Sequence, residues 1–240
     1  KAALTLSKNK ESPQSWAQVQ FTLGHLLSTQ GKNLSGLDSV KKFESAEGAY
    51  RAALKVFGKE NSPIIWAKCQ TNLGNVLSEL GSKLPATKAK KKLKDAEVAF
   101  RNALKVNTKK DSPQEWARTQ NNLGLTLKDL AMILKGSASI LKLKAADAAL
   151  RDALTVRTKA HIPQFWAQTN NNLGCVLKEI GIRSSGIMAI ENLEFAESAY
   201  REARTMITKE ELPDKWASNH NDLGAVLYEL GSRLSGTEST

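Results

Sequence analysis

The residues best suited to catalysis or metal binding are few and scattered in this 240-residue chain. It contains three histidines, His25, His161 and His220, and two cysteines, Cys69 and Cys175. Nucleophilic catalysis needs a nucleophile beside a base, and zinc sites need closely spaced ligands. No cysteine stands in register with a histidine, and the sequence contains neither an HExxH string nor a glycine-rich phosphate loop. The sequence therefore predicts no enzyme activity, no metal site and no cofactor.

Amide side chains form a second candidate group, because they recur at regular positions. Asn72, Asn122 and Asn172 are spaced 50 residues apart. Asparagine is a middling to poor helix former, so its recurrence within a helix needs a reason. An amide both donates and accepts, which suits it to holding the backbone of an extended peptide. We name the ten candidate partner-binding residues the amide stripe: Lys68, Asn72, Asn75, Arg118, Asn121, Asn122, Gln168, Asn171, Asn172 and Asn221.

The spacing of these side chains follows an internal repeat. The five tryptophans lie 50 residues apart, and each follows a proline by three residues: Trp16, Trp66, Trp116, Trp166 and Trp216. A fixed period of this kind indicates one structural unit that is copied and stacked. We expect a single domain over residues 1–240, with a half-repeat at 1–12, four repeats at 13–62, 63–112, 113–162 and 163–212, and a half-repeat at 213–240. The first half-repeat is assigned because Lys1, Ala3 and Leu4 align with Arg51, Ala53 and Leu54.

The first segment of each repeat, such as SPIIWAKCQTNLGNVLSELG, predicts a helix that starts at the proline. The preceding serine, Ser12, Ser62 or Ser112, is expected to cap three of these helices. Trp16, Leu23 and Leu27 and their counterparts share one buried face. Gly24 and its counterparts predict close approach of a second helix, because glycine is costly inside a helix.

Glycine later in the first segment, at Gly31, Gly81, Gly181 and Gly231, is expected to end the helix. Ala131 replaces it in the third copy, so that helix is expected to continue toward Gly136.

The second segment of each repeat, such as FESAEGAYRAALKVFGK, predicts a second helix with a small-residue face. Alanines at the positions of Ala46, Ala49 and Ala53 are expected to pack against the glycine of the first helix. An acidic residue precedes an arginine by four positions in every copy, as in Glu47 and Arg51. We favour an intrahelical ion pair over a ligand clamp for these arginines.

These residues resemble the tetratricopeptide repeat. The resemblance rests on leucine-glycine in the first helix, on the spacing of Ala46, Tyr50 and Ala53, and on Pro63 before the next repeat. The usual unit has about 34 residues, so the chain is most similar to extended variants such as those of kinesin light chain and many bacterial proteins. The resemblance implies an all-α, right-handed superhelical solenoid of stacked helix-turn-helix units, and places the first helices on its concave face. The sequence departs from the family at Gln20 and its counterparts, where a tryptophan is usual.

The resemblance implies that the amide stripe lines this concave face. Two interpretations stay open: the stripe binds a peptide or partner helix, or it fixes the stacking of adjacent repeats. Lys68 and Arg118 would favour an acidic peptide. The family's carboxylate clamp is not expected, because Phe21 and its counterparts stand where a lysine is required. We expect a non-enzymatic protein-interaction scaffold.

The formal net charge of +11 permits a second partner class, single-stranded nucleic acid. We favour a solvated connector for the lysine-rich segment between Lys83 and Lys94. Nucleic acid would gain support if Lys68, Arg118 and this segment formed one continuous face. A third alternative is end-to-end self-assembly through the half-repeats. No signal peptide or membrane span is apparent, so a reducing, cytoplasmic location is expected.

Overall fold

The computed structural model describes residues 12–237, and every regular element in that range is an α-helix. The first helices of the repeats are α1 (Pro13–Lys32), α3 (Pro63–Lys83), α5 (Pro113–Ile133), α7 (Pro163–Arg183) and α9 (Pro213–Thr237). The second helices are α2 (Gly36–Ala53), α4 (Ala86–Ala103), α6 (Gly136–Leu154) and α8 (Gly186–Arg204). The predicted all-α class with repeating helix-turn-helix units is confirmed. The alignment of Lys1, Ala3 and Leu4 lies outside the described residues.

The helices belong to two compact units, whose boundary lies between Ile133 and Leu134. In unit 1, each helix from α1 to α5 packs on the next, and α3 also contacts both α1 and α5. In unit 2, α6 to α9 pack in the same consecutive manner, and α7 also contacts α9. The expectation of one domain over the whole chain stays a prediction.

The first helices begin at the predicted prolines, and the predicted serine cap forms at Ser12 but not at Ser62. The Ser12 hydroxyl accepts a hydrogen bond from the Ser15 N–H at 3.4 Å, whereas Ser62 makes no side-chain cap bond. In every copy the backbone carbonyl of the residue before the proline accepts the first intrahelical bond from the tryptophan N–H, for example Ser62 from Trp66 at 2.9 Å. Because this bond uses only backbone atoms, the helix that follows Ile162 starts in the same way.

The repeated glycines provide room for the second helix. A Cβ at Gly24 would lie 2.9 Å from the Tyr50 ring, and one at Gly74 would lie 2.7 Å from the Phe100 ring. The predicted close approach is therefore confirmed at these positions, although the glycines meet an aromatic ring rather than the alanines.

The prediction that the later glycines end the first helices is wrong. Gly31 and Gly81 lie inside their helices, and a Cβ at Gly31 would lie 3.1 Å from the Phe43 ring. The helix with Ala131 ends at Ile133, the position at which α3 and α7 also end, so it does not run on to Gly136. Gly136 has a φ of 59° and begins α6, where only glycine turns the chain without strain.

The sequence predicted that the tryptophans belong to a buried face, but in the structure they are only half-buried. Trp166 and Trp216 pack against a buried cluster that contains Ala167 and Ala203. The outer ring face meets a lysine in three repeats, with ammonium-to-centroid distances of 5.7 Å for Lys109 on Trp116, 5.1 Å for Lys159 on Trp166 and 5.6 Å for Lys209 on Trp216. Trp166 and Trp216 therefore combine apolar packing with a cation–π contact.

The acid–arginine pairs of the second helices form as predicted. The N–O distances are 3.0 Å for Arg51 with Glu47, 3.1 Å for Arg101 with Glu97, 2.7 Å for Arg151 with Asp147 and 2.7 Å for Arg201 with Glu197. In unit 1 the pairing also joins successive second helices, because Lys92 contacts Glu47 at 2.5 Å. The arginine positions thus have a structural role, as the sequence indicated.

Candidate functional site

Part of the amide stripe connects successive first helices. In unit 1 the Asn122 side-chain amide donates to the Asn75 Oδ1 at 2.9 Å, and the Asn121 amide donates to the Asn122 Oδ1 at 3.1 Å. Asn121 is buried, whereas Asn75 and Asn122 are half-buried. These bonds give the stacking interpretation a specific geometry.

Unit 2 contains a related connection through a different position. The Asn219 amide donates to the Asn171 Oδ1 at 2.8 Å and to the Tyr200 carbonyl at 3.3 Å. Asn219 is completely buried and was not among the candidate residues, because its counterparts are valine, cysteine and threonine. No repeating sequence signal marks it. The structure therefore adds Asn219 as a residue that fixes α9 on the preceding repeat.

The sequence analysis did not predict two further contacts between first helices. The Ser78 and Thr126 hydroxyls lie 2.7 Å apart, and the Lys178 ammonium contacts the Asp222 carboxylate at 2.6 Å. Ser78 and Lys178 both correspond to position 28 of the first repeat. The partner lies 48 residues later in the chain for Ser78 and 44 residues later for Lys178. Since neither the Ser–Thr pair nor the Lys–Asp pair recurs at the same two positions of another repeat, comparison of the repeats could not reveal these contacts.

A groove of about 480 Å³ in unit 2 contains three members of the amide stripe. Gln168, Asn171 and Asn172 supply its polar side. Met206, Ile207 and Leu212 supply an apolar side from the segment between α8 and α9. The rim carries both signs of charge, as Glu211 and Lys215. We name this site the unit 2 groove; its mixture of an apolar wall and a few amides is typical of ligand sites.

A smaller groove of about 160 Å³ in unit 1 contains Asn72, Asn75 and Arg118. The ring of Tyr50 forms part of its lining. Burial raises the pKa of the Tyr50 hydroxyl to about 12, although hydrogen bonds with Ser28 and Asn72 oppose the shift. This hydroxyl is consequently neutral at physiological pH and serves as a hydrogen-bonding group. We name this site the unit 1 groove.

The remaining stripe residues are not brought into either groove. Lys68 and Asn221 are exposed, and Asn121 and Asn122 take part in the contacts between first helices. Arg118 lies in the unit 1 groove but pairs with Glu115 through its guanidinium. This pairing offsets part of the positive charge that was expected to favour an acidic peptide.

The lysine-rich segment lies away from Lys68. Gly81 is opposite Leu93 and Gly74 is opposite Phe100, so α3 and α4 run antiparallel. The segment from Lys88 to Lys94 is therefore beside the end of α3, whereas Lys68 is in its second turn, roughly 20 Å away along the helix. Lys68 and the lysine-rich segment therefore lie at opposite ends of the α3–α4 pair.

The thiols and acids of the described residues form no metal-binding group. Among residues 12–237 no cluster of three or more histidine, cysteine, aspartate or glutamate side chains could hold an ion. Both cysteines are free; burial raises the pKa of the Cys69 thiol to about 12. Cys175 is half-buried, and its sulfur accepts a hydrogen bond from the Tyr200 hydroxyl at 3.2 Å. None of the described helices has the length and apolarity needed to cross a bilayer.

Comparisons with known proteins identify no family for this chain. No protein-family model matches it, and no curated protein matches it. Among solved structures, a de novo designed helical repeat protein is 17% identical over 88% of this chain and 99% of its own, with a TM-score of 0.42. A designed self-assembling cyclic homooligomer is 13% identical over 98% of this chain and 92% of its own, with a TM-score of 0.26. These similarities are too low to indicate a shared function.

Proposed function

We propose that this helical repeat protein is a non-enzymatic scaffold that binds a peptide or partner helix on the amide side of its first helices. The observation that carries the proposal is the unit 2 groove, in which Gln168, Asn171 and Asn172 face the apolar side chains of Met206 and Ile207. Amides can pair with the backbone of an extended peptide, while the apolar wall accepts its side chains.

The groove distinguishes two roles among its amides. Asn171 already accepts from Asn219, so its oxygen helps to hold α9 in place. Gln168 and Gln164 are exposed at the beginning of α7 and line the same groove. They are the amides best placed to contact a peptide at little cost to folding, because exposed positions tolerate substitution.

The binding test uses a phage-displayed library of short random peptides selected on the chain. The double variant Gln164→Ala, Gln168→Ala should weaken the binding of the selected peptides about thirtyfold, since the two lost hydrogen bonds contribute about 1 kcal/mol each. The matched control is Gln14→Ala, Gln18→Ala, which changes the corresponding exposed positions of α1, outside both grooves. Failure to select any peptide, or equal weakening by the two double variants, would contradict the assignment.

A preference of the protein for acidic peptides is a separate part of the proposal. Lys68 is exposed, whereas Arg118 pairs with Glu115 and the unit 2 groove carries both charge signs. The same selection reports this preference through the composition of the recovered peptides. We expect a weak excess of acidic residues only among peptides that bind beside Lys68, and Lys68→Gln should remove this excess.

A further inference from the structure

The contact between α1 and α3 lacks the polar pair that joins the next two first helices of unit 1. The Ser78 and Thr126 hydroxyls lie 2.7 Å apart between α3 and α5. The corresponding residues between α1 and α3 are Ser28 and Val76, and valine offers no polar atom. Both residues line the unit 1 groove. The groove therefore occupies a place that a direct side-chain contact closes in the following repeat.

Glu79 lines this groove with a carboxylate that has no ionic partner. Its counterpart in unit 2, Glu179, pairs with Arg183 four residues later. The residue four positions after Glu79 is Lys83, whose ammonium lies instead 5.9 Å from the centroid of the Phe43 ring. Glu79 is half-buried, and it forms no ion pair with any residue that the structure describes. Since a partly buried carboxylate without a counterion is costly, the groove favours a ligand with a cationic group.

The same groove also contains a cation that is free to bind a ligand. Lys32 lines the groove at the end of α1 and forms no ion pair within residues 12–237. Arg118 is the second cation of the lining, but its guanidinium already pairs with Glu115. The unpaired charges of the groove are therefore the Lys32 ammonium and the Glu79 carboxylate, which do not contact each other. A ligand with both an anionic and a cationic group would satisfy both of them.

We propose that the unit 1 groove binds a free amino acid, with the ammonium of the ligand at Glu79 and its carboxylate at Lys32. The cavity of about 160 Å³ is smaller than the roughly 300 Å³ at which sites for drug-sized ligands begin, so it suits a molecule of amino-acid size. Asn72 and the Tyr50 hydroxyl, which are hydrogen-bonded to each other, supply neutral polar groups for the side chain of the ligand. The internal residues of a peptide carry neither terminal charge and would leave Glu79 and Lys32 unpaired.

The direct test titrates each proteinogenic amino acid separately into the complete chain by isothermal titration calorimetry. We expect saturable binding of at least one polar amino acid at a single site. Its N-acetyl derivative lacks the ammonium and its carboxamide lacks the carboxylate, so each should bind at least tenfold more weakly (~1.4 kcal/mol). The proposal is overturned if no amino acid binds at millimolar concentration, or if the N-acetyl derivative binds as tightly as the free amino acid.

The matched protein variants are Glu79→Gln and Glu179→Gln, at corresponding half-buried positions of the two units. Glu79→Gln keeps the size of the side chain and breaks no ion pair, so this variant should fold. It should weaken the amino acid at least tenfold (~1.4 kcal/mol), whereas Glu179→Gln should leave binding unchanged. Lys32→Gln should weaken the free amino acid but not its carboxamide, which has no carboxylate to lose. Normal binding by Glu79→Gln, or equal weakening by Glu179→Gln, would place the ligand outside the unit 1 groove and overturn the proposal.

Discussion

At the scale of single residues, the repeated glycines show that a residue's contribution to stability depends on which helices surround it. Gly74 and Gly224 occupy the same place in their repeats, and the sequence around them is similar. Gly74 is buried beneath the Phe100 ring, whereas Gly224 is exposed with no neighbour within reach of an added Cβ. Gly74 is required by packing in unit 1, whereas Gly224 meets no side chain of the described residues.

Alanine substitution at these two glycines should therefore have opposite effects. Gly74→Ala places a Cβ 2.7 Å from the buried Phe100 ring and should destabilise the fold by about 1–3 kcal/mol through overpacking. Gly224→Ala should stabilise it by up to about 1 kcal/mol, since alanine favours the helix. Urea denaturation followed by far-UV circular dichroism measures both changes. Equal shifts in the same direction would contradict the packing account of Gly74.

At the scale of elements, successive first helices are held together by polar side chains as well as by apolar packing. The Asn75–Asn122 and Ser78–Thr126 contacts join α3 to α5, and the Lys178–Asp222 and Asn171–Asn219 contacts join α7 to α9. The residue types change from repeat to repeat, although the helices that they join correspond. Stacking is therefore achieved by local pairs rather than by one repeated polar motif.

A double-mutant cycle can separate stacking from ligand binding at the amide stripe. Asn75→Ala and Asn122→Ala each remove one partner of a 2.9 Å hydrogen bond between half-buried groups. We expect a coupling free energy of about 0.5–1.5 kcal/mol in unfolding measurements. The pair Gln18→Ala and Gln168→Ala, at exposed positions in different units, is the control and should show no coupling. Absence of coupling between Asn75 and Asn122 would assign these amides to binding instead.

At the scale of the whole molecule, the positive charge is distributed unevenly. Residues 12–133 contain 19 lysines and arginines against 10 acidic residues, and residues 134–237 contain 13 against 12. Much of the excess belongs to α4, where Lys88, Lys90, Lys91 and Lys94 are exposed. Neither groove includes any of these lysines.

Any affinity for single-stranded RNA should consequently be separable from peptide binding. We expect RNA to bind weakly at low ionic strength and to be released at physiological salt, because such binding depends on phosphate contacts. Replacing Lys88, Lys90, Lys91 and Lys94 with glutamine should abolish it and leave peptides of the unit 2 groove bound as before. Salt-resistant RNA binding that survives this substitution would favour the nucleic-acid alternative.

Much of the fold could be predicted because its signals are local and repeated. Proline positions define the helix starts, and the four-residue spacing of Glu47 and Arg51 predicts their ion pair. The candidate site was predictable only in part. Gln168, Asn171 and Asn172 line one groove, but Asn121 is buried, since the width of the buried face depends on how neighbouring helices pack.

The sequence by itself determined the repeat, the helix pairs and the positions at which glycine allows close approach of a second helix. These properties follow from local helix propensity and from a residue pattern that recurs in every repeat. Only the tertiary structure decided which amides pair with each other, which line a groove and that Gly224 and Gly231 remain uncovered. The polar contacts between successive first helices join residues 44 to 48 positions apart. Corresponding residues of different repeats therefore have different neighbours.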